Sequence, residues 1–279
     1  MVFLNDILPG GRGYVAMLKA YLDRGARIEA GRVMCVAGAL FESFHYDRFL
    51  HEWQPILTEW GASAFHATDF YNGAVEFKRK LGDEKVDVPH LMARYERHSR
   101  EIPAIIGAHV HQLFVVTFYE DEYDRIAPHR WREQFGNVHR IAAQLMAGSI
   151  GHWANRENYN GGIAYFYETG DEDEAAVDDA LRGLYKRPDQ RAHTRMASTP
   201  IGVDKGKARG LEVADFLAWH WNKYVAESMP PNRKRPIRKD IQLLMDVLHD
   251  KGNKIDVQLM TGEPFEKFLI SHGCTRQIV

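Results

Sequence analysis

Apolar runs of strand character alternate along this chain with stretches of helical spacing, and that alternation limits the fold more than any other feature. Arg32 to Phe41 is β-branched and apolar behind Gly31 and reads as a buried strand. Ile105 to Tyr119 is the longest strand-like run, and Ile163 to Glu168 is a short buried one. Tyr14 to Leu22 could be a strand or a short helix; a strand is favoured over Leu18 to Leu22, ending at Asp23. Arg195 to Val203 has room for one more.

Between these runs, Phe49, Trp53, Ile56, Leu57 and Trp60 recur at three and four residues and predict a helix over His45 to Trp60. Pro55 should kink or split it, and Gly61 should stop it. Ala64 to Phe70 and a polar connection through Asn72-Gly73 come next. Further helices are predicted over Val88 to Glu101, with Pro89 in the first turn, then Glu133 to Trp153 after the acidic turn Glu120-Asp121-Glu122, and Asp173 to Tyr185. Leu211, Ala214, Leu217, Ala218, Trp221, Tyr224 and Val225 place an amphipathic helix after Gly210, with Asp215 at the border of its apolar stripe. The order of strands and helices argues for an α/β layered domain.

That domain is expected over residues 14–228, behind a turn-rich leader, 1–13, that ends in Pro9-Gly10-Gly11-Arg12-Gly13. Residues 229–279 should be a linker (Met229-Pro230-Pro231-Asn232), a basic run from Arg233 to Lys239, one helix over Ile241 to His249, and a short tail. The 279 residues are 45% hydrophobic and 27% charged, with a formal net charge of −2. The profile is that of a globular protein and argues against a surface that is basic throughout. No run approaches the roughly 20 apolar residues of a membrane helix, and no secretion signal opens the sequence. Cys35 and Cys274 lie too far apart for metal-ligand spacing, and Cys35 reads as a small core residue; a reducing cytoplasm is expected.

Four acids fall at the ends of predicted core elements: Asp23, Asp69, Glu168 and Asp215. Carboxylates gathered at one sheet edge repel one another unless a hard divalent cation such as magnesium or manganese sits between them. Such a site can clamp the attacking and leaving oxygens of a phosphodiester. The alternative is that they are turn and cap residues. His66 stands three residues before Asp69 and could ligate, shuttle a proton or cap a helix. His109 and His111 alternate onto one strand face, either a zinc pair or a solvated, hydrogen-bonded one. Phe49, Trp53 and Trp60 read as core before base-stacking platform. Lys205, Lys207 and Arg209, with Arg233, Lys234, Arg235, Arg238 and Lys239, could follow a phosphate backbone or line a solvated loop. No phosphate-cradling GxxxxGK[ST] or dinucleotide GxGxxG before a helix is present.

The segments Val33 to Leu40, Phe65 to Phe70, Tyr167-Glu168-Thr169-Gly170-Asp171 and Gly210 to Trp219 resemble, in that order, domain-of-unknown-function family 3800 of bacteria and phages. The resemblance spans Tyr14 to Tyr224. It implies a ribonuclease H-like fold, a mixed sheet flanked by helices, and metal-dependent nucleic acid cleavage. Asp23, Asp69, Glu168 and Asp215 would be the counterparts of the family's acidic positions. Two departures stand out. Arg24 occupies the place of a second carboxylate in the family's Asp-Glu-Ser-Gly opening; it could lower the pKa of neighbouring acids or fill part of the cation's place. Glu212 replaces a more usual Gln. The leading expectation is a phosphodiester hydrolase in which Asp23, Glu168 and Asp215 hold one or two magnesium or manganese ions. Asp69 is then an outer ligand, and His66 orients the water or accepts its proton. The rivals are a catalytically silent binding or assembly module and a hydrolase of another phosphorylated molecule. Oligomeric state is left open, a homodimer among the options.

Overall fold

The computed structural model describes residues 18–25, 33–72, 88–170, 173–228, 238–260, 264, 265 and 267. The leader 1–13, the linker and basic run up to residue 237, and Cys274 lie outside them. The described elements run β1 (Leu18–Arg24), β2 (Val33–Glu42), α1 (Ser43–Trp60), α2 (Ala67–Asn72), α3 (Val88–His109), β3 (Gln112–Tyr119), α4 (Glu120–Ile126), α5 (His129–Phe135), α6 (Val138–Arg156) and β4 (Ile163–Glu168). They continue with α7 (Glu174–Lys186), α8 (Pro188–His193), β5 (Ile201–Val203), a 3-10 turn (Lys205–Lys207), α9 (Gly210–Ser228), α10 (Lys239–Asp250) and β6 (Ile255–Met260).

The strands form one six-stranded sheet in the order β5-β4-β1-β2-β3-β6. β1, β2 and β3 are mutually antiparallel; β4 is parallel to β1, β5 to β4, and β6 to β3. The mixed sheet flanked by helices that the ribonuclease H-like resemblance implies is present. Strand alternation divides the core in two. Tyr21, Cys35, Ala37, Phe41, Val115 and Phe166 face α1, α3, α9 and α10, while Leu22, Val36, Phe114, Val116 and Tyr165 face α6 and α7. Burial pushes the Cys35 thiol up to about 12, as befits a core cysteine.

Three local expectations change. The helix predicted to end at Glu101 runs on to His109, so β3 begins only at Gln112. Ile102, Ile106 and Val110, four residues apart and all buried, continue the helical stripe through what reads as strand. His109 and His111 therefore share no strand face: His109 Nε2 lies 3.0 Å from Glu52 Oε1, and His111 Nδ1 lies 3.1 Å from Glu42 Oε1. The zinc pair is not formed. The helix predicted over Glu133 to Trp153 is interrupted at Gly136, whose φ is 86°, and restarts where Asn137 accepts the Arg140 N–H at 3.0 Å. α1 runs unbroken through Pro55, which lies on its exposed face, and stops at Gly61 with φ 60°.

The C-terminal segment is no appendage. α10 buries Ile241, Leu244 and Leu248 in the core shared with α3, and β6 closes the sheet beside β3. Among the described residues no helix is long and apolar enough to cross a membrane.

Candidate site at the carboxyl ends of β1 and β4

Register brings the first two acids together. Leu22 pairs with Tyr167 across the parallel β1–β4 ladder, so Asp23 and Glu168 come next on neighbouring strands. Alternation turns both to the face that carries Tyr21 and Phe166, the α9 side. α9 crosses that face closely. A Cβ on Gly210 would stand 2.2 Å from the Tyr21 ring, so only glycine lets the first helical turn lie on β1. Residues 210–220 of α9 are buried all round, not along one stripe, and Asp215 is only 8% exposed.

The third acid and a cation complete the cluster. Lys205, in the 3-10 turn after β5, reaches inward and is itself 8% exposed. Its Nζ lies 2.9 Å from Asp23 Oδ2, 3.0 Å from Glu168 Oε2 and 3.5 Å from Asp215 Oδ2. Asp215 Oδ2 also accepts the Ala67 N–H at 2.8 Å, at the start of α2, and Asp23 Oδ1 accepts the Arg24 N–H at 2.6 Å. The Lys205–Asp23 contact lacks hydrogen-bond alignment, so Asp23 Oδ2 is a fully buried acceptor without an aligned donor.

Burial pushes the Asp23 carboxyl well above the ordinary range; Lys205 opposes this, and Glu168 reinforces it. Asp215 is pushed up to about 6 by burial and by the charge of Asp23, against Lys205 and the Ala67 N–H. Burial lowers the Lys205 pKa, but Asp23, Asp215 and Glu168 together outweigh it and hold the ammonium charged.

The structure thus brings three of the four expected acids to one point and leaves the fourth apart. Asp69, half-buried in the first turn of α2, is not among the partners of Lys205; with His66 it lines a cleft between α2 and the end of α1. His66 is exposed and stands close enough to Asp215 to lower its pKa when the imidazole is protonated. Among the described residues no group of three or more His, Cys, Asp and Glu is arranged around a metal-sized centre, and the point common to the three acids is Lys205 Nζ.

Lys205 is therefore not a surface phosphate contact. Arg238 also turns inward, its guanidinium 4.8 Å from the Trp219 ring centre and 5.7 Å from that of Tyr71. Lys207 is exposed and pairs with Asp204 at 2.5 Å, and Lys239 is exposed; Arg233, Lys234 and Arg235 lie outside the described residues. Arg24 neither fills the cation's place nor appears among the groups that shift Asp23. It reaches Asp173 Oδ2 at 2.6 Å, and His139 Nε2 lies 3.3 Å from the same oxygen. Glu212 serves the fold: fully buried, it accepts from Trp53 Nε1 and Arg209 Nη1, each at 2.5 Å, tying α1 to α9.

Sequence reasoning missed the role of Lys205 and the Arg24–Asp173–His139 group. Lys205 sits between Asp204 and Lys207 in a polar turn, and nothing in that local pattern marks it as buried. His139 was hidden inside a helical stripe.

No family model matches the chain, and no curated protein does. Among solved structures, a ribonuclease H2 from Pyrococcus horikoshii OT3 is similar at 11% identity and a TM-score of 0.39, over 92% of this chain and 98% of that one. So distant a likeness carries no role for any residue.

Proposed function

We propose that the chain is a divalent-metal-dependent phosphodiester hydrolase acting on nucleic acid in the cytoplasm, a ribonuclease H-like member of domain-of-unknown-function family 3800. One observation carries the reading: acids from β1, β4 and α9 converge within 3.5 Å of a single cation position at the ends of two parallel strands. The three side chains offer only carboxylate oxygen, the donor type a hard divalent cation takes, and the point they share is held by the Lys205 ammonium. Asp23, Glu168 and Asp215 would hold magnesium or manganese, with Asp69 in an outer position. A bound ion of this kind polarises a phosphoryl oxygen and activates water at neutral pH. The chain's own part is to aim the carboxylates through the β1–β4 register, to exclude water around Asp23, and to offer His66, exposed beside Asp215, as proton acceptor. Lys207 and Lys239, with Arg233, Lys234 and Arg235, would steer the phosphate backbone.

The buried Lys205 ammonium favours a second reading, a catalytically silent nucleic-acid-binding or assembly module in which lysine neutralises the acids for good. The two separate on one experiment. Single-stranded DNA, duplex DNA, RNA and hybrid are incubated with manganese. The hydrolase cleaves at least one of them, and Asp215→Asn removes that cleavage while keeping its circular dichroism. Binding without cleavage, lost as salt rises and indifferent to manganese, would leave the silent module.

A further inference from the structure

The sheet ends in two edges of different kinds. β5 is a three-residue strand, too short to recruit another chain. β6, at the opposite end, keeps six residues in unbroken register on β3, and among the described residues no strand pairs with its outer side. Ile255–Met260 has none of the usual guards of an open edge: no proline, no lysine and no bulge. Its one charge, Asp256, lies 3.7 Å through Oδ2 from Arg156 Nη1 on α6. Alternation puts Val257 and Leu259 on the other face, with Ile255. They are 39% and 44% exposed, two of the four large apolar side chains left so open among the described residues.

The pattern of β6 matches itself. Along a strand the backbone groups of alternate residues point outward, and an antiparallel neighbour must set outward residues opposite one another. When the neighbour is the same strand, a residue therefore meets itself or one an even number of positions away, and like faces meet. With the axis at Val257, Ile255 of one copy lies opposite Leu259 of the other, Val257 opposite itself, and Asp256 opposite Gln258, so no like charges face each other. An axis at Asp256 would oppose two carboxylates, and one at Gln258 would leave Ile255 without a partner. We propose that β6 is a self-docking edge, where a second copy of this chain adds its own β6 antiparallel about a two-fold axis at Val257 and joins the two sheets into one. The interface is small, so the dimer forms as concentration rises. Nothing in this depends on the hydrolase reading.

Sedimentation equilibrium of the full chain, from micromolar to near-millimolar concentration, should show a monomer–dimer equilibrium. Leu259→Lys, at an exposed position, should weaken it at least tenfold without changing the circular dichroism of the monomer. In a Cys274→Ser background, mild oxidation should link Val257→Cys to its own copy, since directly opposed residues lie about 4.5–5.5 Å apart, within disulfide reach. Gln258→Cys, about 7–8 Å from its own copy on the diagonal, should stay unlinked. A chain that is monomeric throughout overturns the inference, whether its edge stays bare or takes a strand from another protein. So does a dimer that Leu259→Lys leaves at full affinity, or one in which Val257→Cys links no more readily than Gln258→Cys. Should Leu259→Lys not fold, the two cysteine variants decide.

Discussion

Two buried bases, one before α9 and one within it, meet the cost of burial in opposite ways. Lys205 is 8% exposed and keeps its proton, because three acids surround its ammonium. His220 has no exposure, and among the described residues neither ring nitrogen has a hydrogen-bond partner; Asp240 Oδ2 is 3.8 Å away. Burial, helped by the positive charge of Arg238, pushes the His220 proton off, and the ring sits neutral among Tyr71, Phe216 and Trp219. A lysine cannot make that concession as cheaply, since its free pKa lies some four units higher than histidine's. The difference teaches which polar cluster is built to handle charge: the one at the ends of β1 and β4.

The largest expected effect comes from breaking the compensated side. Lys205→Met leaves three inward acids without their cation and should cost about 3–5 kcal/mol in urea unfolding at pH 7.5 without metal. Adding Asp23→Asn to it should recover part of that loss, since one charge fewer then needs a partner. A Lys205→Met cost below about 1 kcal/mol would mean that the ammonium does not neutralise the cluster. Glu212→Ala tests an acid compensated by a guanidinium and a neutral indole donor instead of a shared ammonium. It strands the Trp53 N–H and the Arg209 guanidinium and should cost about 2–3 kcal/mol in the same assay.

The uncompensated side gives a smaller, pH-dependent effect. A buried histidine with a depressed pKa binds fewer protons folded than unfolded once the pH drops below the ordinary value of 6.5. Stability is therefore full above that pH and falls as the medium acidifies. His220→Phe should cost less than about 1.5 kcal/mol at pH 7.5 and flatten the acid limb of the stability curve. His98 and His111, also lowered by burial, keep the limb from vanishing. An unchanged slope would show that His220 is not neutral through burial. Smallest of all is Lys207→Ala at the exposed Asp204 pair, which should leave the unfolding midpoint where it was. Its use is as a probe of nucleic acid binding, where it should lower the salt dependence by about one phosphate contact.

How much of this could be read from the chain depended on how local the signal was. Ile163–Glu168 forms over the predicted residues because its apolar run ends sharply at an acidic group. Asp23, Glu168 and Asp215 stood out because each closes or borders an apolar element. Residues 102–110 misled, since β-branched residues four apart satisfy a helix as well as an apolar run satisfies a strand. Lys205 was beyond reach: its partners lie on three other elements, and no spacing within Asp204 to Lys207 encodes them. β6 escaped for a related reason, as Ile255 to Met260 is only half-buried and draws its identity from pairing with β3.

That pairing matters to anyone who trims the chain. The composition break near Met229 looks like a safe place to cut, yet a fragment stopping at Ser228 would lose both α10 and β6. β3 is buried along its whole length; stripped of its neighbour, it would present a row of unsatisfied amides flanked by Leu113, Val115 and Phe118, a ready template for sticking to other molecules. Insoluble material from such a fragment would say nothing about the chemistry at the far side of the sheet.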